Sequence, residues 1–184
     1  MKNKFFFSVF VYFFILLFLS LGTWQIIRLN WKLELISQIE KSINSEPILF
    51  NGTNTRNFKK ILFDPNLSDS KVIYLYSLNE DGEPGFDIIN TISINNENFL
   101  LNRGWVPNNL KNTNFKIKEK DFTGILKKKS NKNYFKPENN IANNYWFTLN
   151  DEDLFKFTGL KFSPFIIYEV DNRSQFPNPL LCVR

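Results

Sequence analysis

The sequence predicts an α+β protein, in which an N-terminal transmembrane helix is followed by a mainly antiparallel β domain with one or two short helices. Three observations lead to this prediction. A run from Phe5 to Ile27 contains no charged residue, apolar and polar residues begin to alternate near Lys71, and a helical segment with clear end signals follows Asn150. Because the chain has 184 residues, the part after the apolar run is long enough for one domain with its own core.

The apolar run is long enough to cross a lipid bilayer. As an α-helix it would measure about 34 Å, against a hydrocarbon core of ~30 Å. Aromatic and basic side chains, which favour the headgroup layer, crowd its C-terminal end. The candidate membrane-interface and partner-facing residues are Trp24, Gln25, Arg28, Trp31 and Lys32.

A cleaved signal peptide is the alternative interpretation of the N-terminus. Lys2 and Lys4 would form its basic region, and Ser20-Leu21-Gly22 resembles a cleavage site. The apolar run is longer than that of an ordinary signal peptide and continues past this site, which favours a retained anchor. The predicted organisation is a cytoplasmic or matrix N-terminus (1–4), a transmembrane helix (5–27), its helical continuation (28–46) and an extracytoplasmic β-rich domain (47–184).

Alternation predicts a three-stranded meander in the first half of the domain. Its strands run from Lys71 to Leu78, from Gly85 to about Asn95 and from Phe99 to Leu101, joined by turn-forming residues. Further strands are expected at 61–63, 122–126 and 165–170.

Local end signals predict one short helix in the second half of the domain. Asn150 is a good N-cap, acidic residues fill the following turn, and Gly159 ends the segment. Tyr145-Trp146-Phe147, together with Phe135 and Pro137, is expected in the core, and a partner-binding patch is the alternative interpretation.

Composition excludes several classes of function. The net charge of +5 is too small to indicate nucleic-acid binding. The chain has no His and one Cys, Cys182, so Ser-His-Asp and Cys-His enzymes, an internal disulfide and a Cys-based metal site are excluded. We expect no metal site and no catalytic residues. The acidic residues that remain available for acid–base chemistry without His are Asp81, Glu83 and Asp87.

The segment from Leu100 to Pro107 is the most unusual part of the domain, because a strand ends in Asn-Arg-Gly-Trp. One interpretation is structural: Gly104 permits a bulge, Trp105 fills the core, and Arg103 caps carbonyls or pairs with an acid. The other is functional, since Arg103 beside Trp105 is suited to hold an anionic group such as a propionate or phosphate.

Four motifs, taken together, resemble the SURF1 (Shy1) family of cytochrome c oxidase assembly factors. They are Leu21-Gly-Thr-Trp-Gln-Ile-Ile-Arg28 with Trp31-Lys32, Gly82-Glu-Pro-Gly-Phe86, Leu101-Asn-Arg-Gly-Trp-Val-Pro107, and Phe135-Lys-Pro-Glu-Asn139 with Trp146-Phe147. The resemblance implies a protein of the mitochondrial inner or bacterial cytoplasmic membrane, with its domain in the intermembrane space or periplasm. It also implies a role in inserting haem a into oxidase subunit I, alongside haem-synthesis or other assembly proteins.

Two family features are absent from this sequence. Family members usually end with a second transmembrane helix, and this chain reaches Arg184 before one appears, consistent with a C-terminally shortened sequence. The suspected haem-ligating His of the family lies near that helix, and this chain contains no His, so any haem a contact is expected to be transient. The alternative functions are a structural or accessory subunit of a respiratory membrane complex and a membrane-tethered enzyme that uses carboxylates.

Overall fold

The computed structural model describes residues 2–53, 56–67, 70–79, 81–111, 122–130 and 135–170. The chain divides into two compact units, Met1–Lys41 and Ser42–Arg184. The elements in chain order are α1 (Lys2–Asn44), β1 (Ile48–Leu49), β2 (Lys60–Phe63), β3 (Val72–Leu78), β4 (Pro84–Ile94), β5 (Glu97–Pro107), β6 (Phe122–Lys128), α2 (Asp151–Thr158) and β7 (Phe165–Glu169).

The first unit is formed by helix α1. Its Lys4–Ser42 portion is long and apolar enough to cross a membrane, with a mean hydropathy of 2.5 in its most apolar window. Apart from Phe14, which is half-buried, the large apolar side chains from Phe5 to Leu21 are exposed, which suits a lipid environment. The helix continues to Asn44 and ends before Pro47, because proline disfavours helical geometry in the residue that precedes it. The predicted N-terminal helix is therefore confirmed.

The second unit is built on a seven-stranded sheet in the order β1-β2-β6-β7-β5-β4-β3. Four of its six strand pairs are antiparallel, and the β1–β2 and β5–β7 pairs are parallel. The predicted meander is confirmed as β3, β4 and β5, and the further strands expected at 61–63, 122–126 and 165–170 are confirmed as β2, β6 and β7. The predicted fold class is thus correct.

Each face of the sheet carries its own apolar core, as alternation along the strands requires. One face, here named the α2 face, buries Ile73, Ile89, Leu100 and Ile166 together with Trp146 and with Leu154 of α2. The opposite face carries two clusters, one around Leu101 and Ile167 and the other around Ile88 and Val106. Because adjacent residues of β5 belong to different cores, a one-residue slip of this strand would disrupt both.

Helix α2 begins and ends as the sequence predicts. The Asn150 side-chain oxygen accepts a hydrogen bond from the Asp153 amide at 2.8 Å. Gly159 adopts a left-handed conformation with φ of 77°, and its amide donates to the Phe155 carbonyl at 2.8 Å. Leu154 is fully buried, so these caps position the helix over the sheet.

The first prediction concerns retention of the anchor. When the full chain is expressed in a bacterium, we expect it to remain in the membrane pellet after alkaline carbonate extraction, because the long apolar helix has no aqueous alternative. The mass of the extracted protein should correspond to a chain that begins at Met1 or Lys2. A product that begins after Gly22 and appears in the supernatant would instead establish the signal-peptide interpretation.

Candidate functional site

Two of the sequence motifs lie side by side as paired strands. Gly85 pairs with Pro107, and Phe86 pairs with Val106 across β4 and β5. The C-terminal residues of the first motif therefore pair with the C-terminal residues of the second. This end of the sheet contains polar residues that are tied to one another by hydrogen bonds.

A bulge in β5 determines which way its side chains point. The register shifts between the Asp87–Trp105 pair and the Ile89–Asn102 pair, because β5 has one more residue than β4 in this interval. Gly104 lies in the extra length with φ of 120°, a conformation that a residue with a side chain rarely adopts. By its pairing with Ile89, Asn102 lies on the α2 face, and the next residue along the strand lies on the opposite face.

Trp105 lies against the backbone of its neighbours. A Cβ atom on Gly85 would come within 2.4 Å of two indole carbons and within 2.4 Å of the Val106 carbonyl oxygen. The indole Nε1 donates to the Ser77 carbonyl at 3.3 Å. Trp105 therefore bridges β5 and β3 across β4, and Gly85 is the residue that leaves room for it.

Arg103 pairs with an acid of β7 on the opposite face. Its Nε lies 3.7 Å from Oε2 of Glu169, and each side chain is 10% exposed. Burial lowers the pKa of the Arg103 guanidinium, and the charge of Glu169 partly offsets that effect. Of the roles proposed for Arg103 from sequence, the structure shows pairing with an acid; an external anion would have to share the guanidinium with Glu169.

The α2 face carries a polar network around Asp87. Ser77 Oγ donates to Asp87 Oδ1 at 3.0 Å, and Asn102 Nδ2 lies 3.4 Å from Asp87 Oδ2. Burial raises the pKa of Asp87, and these two hydrogen bonds lower it by less. The pKa of Tyr168 rises to about 12, chiefly through burial, further through the charge of Asp87, and against a hydrogen bond with Asn102.

A pocket of about 170 Å³ borders this network. Tyr168 lines it together with apolar residues, including Leu75 and Phe147. Lys129 and Lys136 also line it, but Lys129 forms an ion pair with Asp151, and the Lys136 ammonium donates to the Phe147 carbonyl at 3.3 Å. Pockets for drug-sized ligands typically enclose about 300–1,000 Å³, so this one suits a small group at most.

The last motif organises the loop that leads into α2. Both side-chain atoms of Asn139 are used: Oδ1 accepts from the Phe147 and Thr148 amides, and Nδ2 donates to the Thr148 carbonyl and to Asp153. Trp146 is fully buried, as expected. The expectation that Phe135 and Pro137 belong to the core is wrong, because the Phe135 side chain is 92% exposed and Pro137 is exposed as well.

The interface candidates of α1 all have exposed side chains. The Arg28 guanidinium lies 5.3 Å from the centroid of the Trp24 ring, one helical turn away. Gln25, Trp31 and Lys32 lie on the same helix. Their role at a membrane interface stays a prediction.

The three acidic residues considered for catalysis have different partners. Asp81 is exposed in the β3–β4 turn. Glu83 accepts a hydrogen bond from the Asn79 side chain in the same turn, at 2.9 Å. Asp87 belongs to the sheet network. The hydrogen bonds therefore tie Glu83 and Asp87 to separate surroundings.

A family model described as the SURF1 family matches residues 12–180. The chain belongs to the SURF1 family. Surfeit locus protein 1 of Gallus gallus is 30% identical, over 85% of this chain and 58% of the chicken protein. The Mus musculus protein of the same name is 27% identical, over 76% of this chain and 54% of its own length. The SURF1-like protein of Rickettsia conorii is 28% identical, over 88% of this chain and 69% of its own.

The family match confirms the resemblance seen in the four motifs. This chain spans little more than half the length of the chicken and mouse proteins. The structure adds partners that sequence reasoning missed, namely Glu169 for Arg103 and Tyr168 for the Asp87 network. The strand that carries Glu169 and Tyr168, β7, was predicted from the sequence. Its pairing with β5 was not predicted.

The second prediction concerns the fit between Gly85 and Trp105. Gly85→Ala should destabilise this SURF1-family domain by about 3 kcal/mol, because the new methyl group meets a backbone oxygen and an indole ring that cannot both move without separating β4 from β5. Gly82→Ala is the matched control: a methyl group there meets no atom within 4 Å, although its φ of 81° should cost roughly 1 kcal/mol. Denaturant unfolding of the full chain in detergent measures both, and equal losses would contradict the argument.

The third prediction concerns pH and Asp87. Its folded-state pKa lies above the ordinary value of 3.8, so the stability contributed by its protonated form is fully present below that pH and is lost as the pH rises through the folded-state pKa. Asp87→Asn removes this loss. The melting temperature of the variant relative to the natural chain should therefore increase as the pH rises from 3.8 toward neutrality. The exposed Asp81→Asn serves as control, and a flat difference for Asp87→Asn would disprove the burial argument.

Proposed function

We propose that this chain is a membrane-anchored assembly factor for cytochrome c oxidase that assists the insertion of haem a into subunit I. Membership of the SURF1 family over residues 12–180 is the observation that carries the proposal. The long apolar helix is consistent with it, because haem a must reach a subunit that lies within the membrane. The proposed location is the bacterial cytoplasmic or mitochondrial inner membrane, with the domain on the periplasmic or intermembrane-space side.

Around the β5 bulge, the described residues do not fit an enclosed haem site. The pocket beside Tyr168 has a volume of about 170 Å³, and Arg103, the candidate for a propionate, is mostly buried and paired with Glu169. The sequence contains no His to serve as an axial ligand. The proposal therefore gives this chain a role in contact and placement, in which haem a is held transiently or by the partner.

The surface around the β5 bulge is the proposed contact region. Two family motifs meet there, and Gly104 and Gly85 fix the positions of Arg103 and Trp105 through backbone geometry and lack of side chains. A rigid surface suits a protein that must position a partner, because little conformational entropy is lost on binding. Subunit I of the oxidase and haem-synthesis or other assembly proteins are the proposed partners.

The fourth prediction tests this region in a bacterium that lacks its own SURF1-family gene. Supplying this chain should restore the haem a content of the purified oxidase without changing haem a synthesis, measured as total membrane haem a. The Arg103→Leu/Glu169→Leu double variant should fold, because replacing both members of a buried ion pair by apolar residues is often neutral or stabilising. If the Arg103 charge is used for contact, this variant should give oxidase with less haem a.

Single and surface variants complete the test. Arg103→Gln alone leaves the Glu169 carboxylate buried without its partner and should cost about 3–5 kcal/mol of stability, so it cannot separate fold from function. Arg56→Gln removes one exposed positive charge and should behave as the natural chain. Normal haem a content with the double variant would remove Arg103 from the contact region, whereas normal oxidase in the absence of the chain would refute the assembly role itself.

Two other functions can be distinguished from the assembly role by experiments on the same chain. A structural or accessory subunit would co-purify with the mature oxidase in equal amount, whereas an assembly factor should leave it. A carboxylate-dependent enzyme would require the carboxylate groups of Asp81, Glu83 or Asp87 for a measurable turnover, and alanine at these positions would abolish it.

A further inference from the structure

The ammonium group of Lys111 lies inside a set of aromatic rings. Its Nζ atom is 4.9 Å from the ring centroid of Phe86, 5.1 Å from that of Tyr145 and 5.5 Å from that of Tyr74. It also donates a hydrogen bond to the backbone carbonyl of Asn143 at 3.4 Å. Three rings within about 6 Å of one cation is the geometry of an aromatic cage. We call Tyr74, Phe86 and Tyr145 the aromatic box.

The walls of the box are fixed by the fold. The rings of Phe86 and Tyr145 meet edge to face at 5.0 Å and 88°, and those of Tyr74 and Phe86 at 6.1 Å and 74°. Tyr145 is held against β3 because the next residue, Trp146, exchanges backbone hydrogen bonds with Tyr74 and Tyr76. The box therefore keeps its shape through strand pairing and does not depend on Lys111 for its walls.

Within the part of the chain that the structure describes, charge pairing does not explain the position of Lys111. Among the described residues, no carboxylate lies within ion-pair distance of its ammonium group. The rings and one backbone carbonyl are the partners that the structure shows. The electron-rich ring faces thus provide the attraction that a carboxylate would otherwise supply.

We propose that the aromatic box is a recognition site for the primary ammonium group of a lysine side chain on a partner protein, and that Lys111 occupies it in the free chain. The Asn143 carbonyl accepts an N–H bond, which a quaternary ammonium group lacks. With Lys111 in place, Tyr74 is 8% and Phe86 2% exposed, and the cation that reaches these rings is carried on a narrow, unbranched stem. An ethanolamine headgroup would bring its phosphate within two carbons of the electron-rich rings, which favours lysine over lipid.

The test removes the Lys111 side chain from the box and adds a small free cation to the full chain in a non-ionic detergent. Lys111→Ala should bind n-butylammonium about tenfold or more tightly than the natural chain does, because the tethered Lys111 otherwise competes at a high effective concentration. Binding is measured by saturation transfer from the protein to the ligand protons and by the rise in melting temperature. The Lys111→Ala/Tyr145→Leu double variant, which lacks one wall, should lose both effects, and 1-butanol should produce neither.

Other outcomes decide the proposal in either direction. If Lys111→Ala folds only when n-butylammonium is present, Lys111 is a structural part of the box and the proposal is wrong; if it folds alone and shows no response, the proposal is wrong as well. Lys111→Met, which fills the box with an uncharged stem, should fold and should not bind n-butylammonium. Equal binding to the natural chain and to Lys111→Ala would place the ligand elsewhere, and equal binding of phosphoethanolamine would overturn the choice of lysine. None of these results depends on the oxidase, so this proposal fails independently of the proposed function.

Discussion

The parallel pairing of β5 with β7 is the constraint on which the rest of the domain depends. It covers three residue pairs, from Leu100–Ile166 to Asn102–Tyr168, and it joins the meander to the strands β6, β2 and β1. Parallel neighbours cannot be joined by a tight turn, so the chain must cross over before it returns. Within that crossover lie Asn139, Trp146 and α2, and Trp146 and α2 cover one face of the sheet. One pairing thus makes the sheet continuous and positions the segments that cover one of its faces.

The same pairing brings together polar groups that lie far apart in the chain. Arg103 meets Glu169 on one face, and Asn102 lies next to Tyr168 on the other, where Asp87 completes the network. Burying such groups costs free energy unless they are paired. The ion pair meets that requirement with opposite charges. Asp87 is held by neutral donors, and burial raises its pKa because their hydrogen bonds lower it by less. Local departures from an ideal sheet, such as the φ of Gly104, occur in this region and are typical of functional sites.

The β5 bulge and the aromatic box are held together by different interactions. Around the β5 bulge, backbone geometry holds Arg103 and Trp105 in fixed positions on opposite faces of the sheet. In the aromatic box, ring faces attract a cation that has no carboxylate partner among the described residues. Both depend on β4: Gly85 makes room for Trp105, and Phe86, the next residue, forms a wall of the box. A contact function that uses no large ligand cavity at either place is consistent with both arrangements.

The sequence by itself determined what depends on neighbouring residues. The length of the uncharged run determined α1, alternation determined the meander, and Asn150 with Gly159 determined α2. Tertiary structure decided which strands became neighbours, and hence that Arg103 pairs with the distant Glu169 and that Lys111 lies among rings from β3, β4 and the crossover. It also left Phe135 exposed where its aromatic character predicted burial. Periodicity and capping act over a few residues and can be recognised locally, whereas these contacts arise from the register between distant strands, which no local pattern encodes.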